Sequence, residues 1–134
     1  MTFNAWVTAG ATLSCCLLSG VATAGNPRQF SGVAAYYDVD YSGRTANGQR
    51  YDPTKLTAAH RTLPFGTRLR VTDPRSHRSV VVVVNDRGPF TRGRVLDLSL
   101  AAAKALRMTG RGLIKVTAVI EPEAYTTATI PAKP

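Results

Sequence analysis

The rhythm of apolar and polar positions changes several times along this chain, and each change marks an element. Val80 to Val84 is an unbroken run of five β-branched residues, which predicts a strand over Ser79–Val84 buried on both faces. Thr67 to Thr72 alternates Arg with Leu or Val, the period of a half-exposed strand. Asp73-Pro74-Arg75-Ser76 between these two runs reads as a hairpin turn. Phe30 to Tyr37, Arg94 to Leu98 and Gly112 to Ile120 are further strand segments. Ser99 can cap a helix from about Leu100 to Met108, built on Ala101, Ala102, Ala103 and Ala105 and ended by Gly110. Asp38 to Gln49, rich in Gly, Asn and Asp, is a loop, and Leu63-Pro64-Phe65-Gly66 is turn-like. Tyr51 to Ala59 has no clear period, although Asp52-Pro53 can open a single helical turn. Several short strands and one helix on about ninety residues predict a mostly β fold, a small β-barrel with a helical crossover.

The first two dozen residues follow a different pattern. Ala5 to Val21 are mostly apolar or small, and Ala22-Thr23-Ala24 fits a small-x-small cleavage site before Gly25. Residues 1–24 therefore read as a signal peptide, although Met1 to Asn4 carries no Lys or Arg. Thr, Ser and Gly interrupt the stretch and argue against a stable membrane span. The only cysteines, Cys15 and Cys16, lie inside it and leave the mature domain without a thiol. Neither is preceded by a good lipobox, so membrane attachment would require a weak lipidation signal or a retained leader. The expected location is exported, in the periplasm or cell envelope. Residues 25–29 read as a linker, 30–121 as the barrel domain, and 122–134, with no periodicity, as a loose C-terminal tail.

The net charge of +9 falls on the mature chain, since every Lys and Arg lies after position 24. Such a surface attracts polyanions, or serves solubility alone. Export opposes nucleic acid as the partner and favours acidic glycans or anionic surfaces. The acidic side chains are few. Asp73 and Asp52 precede prolines, Glu121 and Glu123 fall at the tail, and Asp38 and Asp40 lie in the first loop. Asp86 and Asp97 are the best placed, each beside a strand end, where a stiff element can hold a carboxylate for proton transfer. On the segment Asn85-Asp86-Arg87-Gly88-Pro89 alone, a turn-capping Asp86 is the simpler reading. His77 sits in a charged hairpin. His60 follows the small-residue run Leu56-Thr57-Ala58-Ala59 and can orient a carboxylate or bond a backbone carbonyl. Two distant histidines make no metal site, no serine elbow is present, and no cofactor is expected.

Four motifs occur in order: Arg44-Thr45-Ala46-Asn47-Gly48, Leu56-Thr57-Ala58-Ala59-His60-Arg61-Thr62-Leu63-Pro64-Phe65-Gly66-Thr67, Asn85-Asp86-Arg87-Gly88-Pro89-Phe90 and Asp97-Leu98-Ser99. Together, from about Gly32 to Glu121, they resemble the rare lipoprotein A family of bacterial septal and cell-wall proteins. The resemblance implies a six-stranded double-psi β-barrel and the activity of a peptidoglycan lytic transglycosylase acting on glycan strands stripped of stem peptides. It places the catalytic Asp on Asp86 and the essential His on His60. A third family position falls on Gln49, which with Tyr37, Asn85, Arg87 and Phe90 makes up the candidate substrate-binding residues. Gln49 is a departure, because the family has Glu there and Gln cannot ionise. Ala35-Tyr36-Tyr37-Asp38 is another, standing where the family usually has Ser-Trp-Tyr-Gly. Sugar stacking would then fall to Tyr36, Tyr37, Tyr41 or Phe90.

The implied chemistry suits this inventory. A lytic transglycosylase needs one carboxylate to protonate the bond between N-acetylmuramic acid and N-acetylglucosamine. The muramic 6-hydroxyl then closes a 1,6-anhydro ring at high effective concentration. Two rivals stand beside it. One is a non-catalytic, expansin-like wall-binding module. The other is a hydrolase pairing Asp86 with Asp97, although Asp97 more simply anchors a crossing loop ahead of the helix cap. The protein is expected to act as a monomer.

Overall fold

The computed structural model describes residues 28–122. The signal segment 1–24, most of the 25–29 linker, nearly all of the 122–134 tail, and with them Cys15, Cys16 and Glu123, lie outside the described residues. Six strands and one helix follow in the order β1 (Gln29–Tyr36), β2 (Thr57–Ala59), β3 (Arg68–Thr72), β4 (Ser79–Asp86), β5 (Arg94–Leu98), α1 (Leu100–Ala105) and β6 (Ile114–Ile120). The strands close into a barrel in the order β1-β5-β2-β4-β3-β6. Two neighbouring pairs, β1 with β5 and β2 with β4, are parallel, and the others are antiparallel.

The valine run is buried on one face rather than two. Val80, Val82 and Val84 enter the core while Val81 and Val83 stay half-buried. β4 is one stave of a closed barrel, so only one of its faces lines the core. Leu69, Val71, Leu96, Leu98 and Val116 complete the interior from other strands, with Leu106 and Met108 from the helical crossover. Fully burying each such side chain contributes roughly 1.5–3 kcal/mol.

β2 is the element that the sequence hides. Thr57-Ala58-Ala59 has little strand propensity, but it is held between β4 and β5, where Ala58 and Ala59 are fully buried. α1 is shorter than expected. It stops at Ala105, and the chain turns through Arg107 at φ 52° rather than at Gly110.

Ser99 caps the helix as expected. Its Oγ accepts from the Ala102 amide at 3.3 Å and also from the Thr57 amide of β2 at 3.2 Å. One buried hydroxyl thus joins the helix start to the weakest strand. Ser99→Ala is expected to lower stability by about 1–2 kcal/mol, read as a shift of the urea midpoint at unchanged slope.

Candidate active site

β4 runs two residues further than expected, so Asp86 is its last residue rather than the first of a loop. Strict alternation from Val84 would leave Asn85 outward and send Asp86 into the core. A bulge prevents this. Ala58 pairs with Val84 but Ala59 pairs with Asp86, so Asn85 is the extra residue and Asp86 turns to the outer face. There it joins a row across four strands: Ala35 opposes Asp97, Asp97 opposes Ala59, and Ala59 opposes Asp86. Ala59, the residue between the two carboxylates, keeps the space there low.

The loop between β1 and β2 folds back over this row. The Ala46 amide donates to Asp86 Oδ1 at 2.8 Å, as does the Arg87 amide, also at 2.8 Å. The Tyr37 hydroxyl donates to Oδ2 at 2.5 Å. Asp86 is 9% exposed, and among the described residues no Lys or Arg pairs with it. The other charged groups nearby are committed elsewhere: Arg94 pairs with Asp97. Arg87 donates to the His60 and Leu63 carbonyls at 3.2 and 2.8 Å and lies 4.0 Å over the Phe65 ring.

Tyr37 is part of a cluster rather than an open stacking surface. Its ring lies 5.0 Å from Tyr41 and 4.8 Å from Tyr51. Burial, together with the bond to Asp86, pushes its hydroxyl well above the usual phenol range, so it remains a donor at any working pH. Tyr36 is likewise engaged, donating to the Thr109 carbonyl at 2.8 Å. Tyr41 is more open, and Phe90 is 81% exposed on the turn after Gly88, whose φ of 116° only glycine adopts readily. Phe65, 42% exposed, is the aromatic that the sequence reading passed over. Its signal was its place at the tip of the Pro64-Phe65-Gly66 turn, where the Arg87 guanidinium covers one face of the ring.

His60 directly follows Ala59, the partner of Asp86, and its amide donates to the Asp86 carbonyl at 3.2 Å. Among the described residues, no hydrogen bond joins its imidazole to the Asp86 carboxylate. Instead Nδ1 accepts from the Thr62 and Leu63 amides, both at 3.1 Å, the reverse of a bond to a backbone carbonyl. Two donors at Nδ1 place the ring proton on Nε2. Burial, then the Arg87 and Arg61 charges, lower its pKa, so the ring is neutral at neutral pH. Its folded value lies below the unfolded one, so the stability it contributes is present above the ordinary His range. That stability is lost as pH falls through the range. A His60→Gln variant is expected to flatten the wild-type decline in thermal midpoint between pH 7 and pH 5, roughly the His window.

Beside the Asp86 row lies a polar cleft of about 340 Å³ lined by Arg44, Gln49, Arg50, Asp52, Lys55, Thr57 and Asn85. Gln49 is in its wall, fixed by a bond from Asn47 Nδ2 to its Oε1 at 3.1 Å. Asn85 reaches the same cleft. Among the described residues no three His, Cys, Asp or Glu converge as metal ligands would.

A closed six-stranded barrel with two parallel pairs, an acid on a bulge and a loop folded over it define a protein of the double-psi β-barrel class. The chain belongs to the lytic transglycolase family, whose model matches residues 29–118. The probable endolytic peptidoglycan transglycosylase RlpA of Nostoc sp. is 58% identical over 90 residues, covering 65% of this chain and 24% of that protein. The endolytic peptidoglycan transglycosylase RlpA of Pseudomonas aeruginosa is 48% identical over 91 residues, 66% of this chain and 27% of its own. This chain thus spans about a quarter of the length of these relatives. The resemblance to the rare lipoprotein A family is borne out. Among solved structures, a Clavibacter michiganensis expansin matches with a TM-score of 0.57 at 26% identity, over 72% of this chain and 52% of its own. A Streptomyces papain inhibitor matches with a TM-score of 0.58 at 24% identity, over 71% and 96%, and speaks to the fold alone.

Proposed function

We propose that this protein is an exported lytic transglycosylase of peptidoglycan, with Asp86 as the acid and then the base. The observation that supports this reading is a largely buried carboxylate fixed in position on a strand-end bulge, with no cation paired to it among the described residues, the rigid placement that proton transfer needs. A protonated Asp86 gives its proton to the glycosidic oxygen as the bond from the N-acetylmuramic acid C1 breaks. The 6-hydroxyl of the same sugar attacks C1, and the Asp86 carboxylate takes that hydroxyl's proton. The atoms balance without water, and the product ends in a 1,6-anhydro ring.

A hydrolase needs a second free carboxylate at a set separation. Asp97 is held by Arg94, which supports the one-carboxylate reaction over that rival. The expansin-like binding module lacks comparable support, since the relatives at 45–58% identity carry transglycosylase names. Tyr37 holds Asp86 in place, and Phe90 offers an open aromatic face to the sugar rings. Neutral His60 braces the 60–63 turn and keeps Nε2–H as its donor. Arg87, tied to two carbonyls and Phe65, shapes the same turn rather than reaching for substrate.

Mass spectrometry of products from glycan strands stripped of stem peptides tests the proposal. Anhydro ends support it, and reducing ends convert it to a hydrolase. Tyr37→Phe is expected to lower kcat about tenfold with little change in KM, because it frees Asp86 without touching the sugar. Equal kinetics would remove Tyr37 from the site.

A further inference from the structure

The turns that leave the ends of β2 and β4 are joined by a reciprocal pair of guanidinium groups. Arg87, on the turn after β4, holds the His60 and Leu63 carbonyls of the turn after β2. Arg61, on the turn after β2, reaches back the other way. Its Nε donates to the Pro89 carbonyl at 2.5 Å and its Nη2 to the Thr91 carbonyl at 3.0 Å. Each arginine thus grips two carbonyls of the opposite turn, and among the described residues neither is paired with a carboxylate. The Arg61 end is itself anchored, since the preceding His60 ring accepts from the Thr62 and Leu63 amides.

The two carbonyls that Arg61 grips flank Phe90. That ring is largely exposed, so packing does little to fix it. Its backbone is no better held. Among the described residues, Gly88, Pro89 and Phe90 make no backbone–backbone hydrogen bond, and the turn is closed only further on, where the Arg94 amide donates to the Thr91 carbonyl at 3.2 Å. The ring nevertheless lies beside Gly88, two residues beyond the acid, where a methyl group would meet it at 3.6 Å. An exposed aromatic on such a stretch would sample many positions, and a sugar would have to order it on binding. A planar fork holding the carbonyls on both sides removes that freedom beforehand.

We infer that Arg61 is a positioning residue, which presets Phe90 as the sugar-facing ring beside Asp86 and so strengthens glycan binding without touching the glycan. This rests on the glycan-facing reading of Phe90 in the proposed function, and adds to it the group that makes the ring rigid. Two of the Arg61 nitrogens are committed to carbonyls, which leaves it poorly placed to act as a direct sugar contact.

Calorimetry with glycan strands stripped of stem peptides tests this in an Asp86→Asn background, where cleavage is blocked. Arg61→Gln is expected to weaken binding about fivefold and Phe90→Ala about tenfold. The two losses are expected not to add: once Phe90 is replaced, Arg61→Gln changes the affinity less than about twofold. Arg61→Lys keeps the charge and loses the fork, so it is expected to match Arg61→Gln. Both side chains are exposed, and retained thermal midpoints separate a lost hold on Phe90 from a lost fold. Additive losses would overturn the inference, because Arg61 would then act other than through Phe90. Parent affinity in Arg61→Lys would overturn it too, since charge alone would suffice, and so would parent affinity in Arg61→Gln. Product analysis of the wild type keeps the two readings apart. Coupled losses in a protein that yields no anhydro ends uphold the role of Arg61 and overturn the transglycosylase. Anhydro ends with additive losses overturn the role of Arg61 alone.

Discussion

Asp86→Asn is expected to abolish formation of anhydro products, with a loss of about 10³-fold or more, while leaving the barrel folded. An amide cannot give or take the proton that the bond cleavage and ring closure exchange, and general acid–base catalysis contributes roughly 10²–10⁴-fold. The hydrogen-bond scheme, however, survives the change. The Asn Oδ1 still accepts from the Ala46 and Arg87 amides, and the Tyr37 hydroxyl accepts from Nδ2 instead of donating to Oδ2. The stability cost should stay within about 1–2 kcal/mol. Product analysis by mass spectrometry beside a urea melt checks both. A folded variant with undiminished cleavage would remove Asp86 from the chemistry.

How far this site was legible depends on the range of each interaction. The strand ending near Asp86 could be read because five valines in a row admit few other structures. The bulge that aims Asp86 could not, because it depends on how Ala58 and Ala59 register against β4. β2 was hidden for the same reason: three small residues become a strand only when β4 and β5 flank them. Tyr37 was noted as a stacking surface, but its bond to Asp86 joins residues 49 apart in the chain. Arg87 stands in the motif as a candidate substrate contact, and what its guanidinium holds was not legible there. Its acceptors, the carbonyls of His60 and Leu63, are supplied by a turn that local sequence does not bring near. Motif order carried the family and the barrel, while side-chain roles depended on contacts between distant segments.

Asp73→Ala is expected to be the most destabilising change outside the apolar core, at about 3 kcal/mol. Asp73 is 1% exposed and holds three donors: the Arg75 amide at 2.9 Å, the Ser76 hydroxyl at 3.1 Å and the Arg111 guanidinium at 2.7 Å. The first two shape the β3–β4 hairpin. The third ties that hairpin to the loop before β6, so one carboxylate fixes two connections. Removing it strands donors around a buried site, a costlier change than deleting both partners. The penalty also has a pH signature. The Arg111 bond, with smaller help from Arg75 and Ser76, holds the Asp73 carboxyl down to about 2 from the usual 3.8. The folded value is below the unfolded one, so this stability is complete above about 3.8 and is lost as pH falls towards 2. Urea midpoints of wild type and variant should therefore differ most at neutral pH and converge as the acid limb is crossed. A constant gap across that range would mean that Asp73 acts by filling space, and that its bond to Arg111 contributes nothing to holding the hairpin against β6.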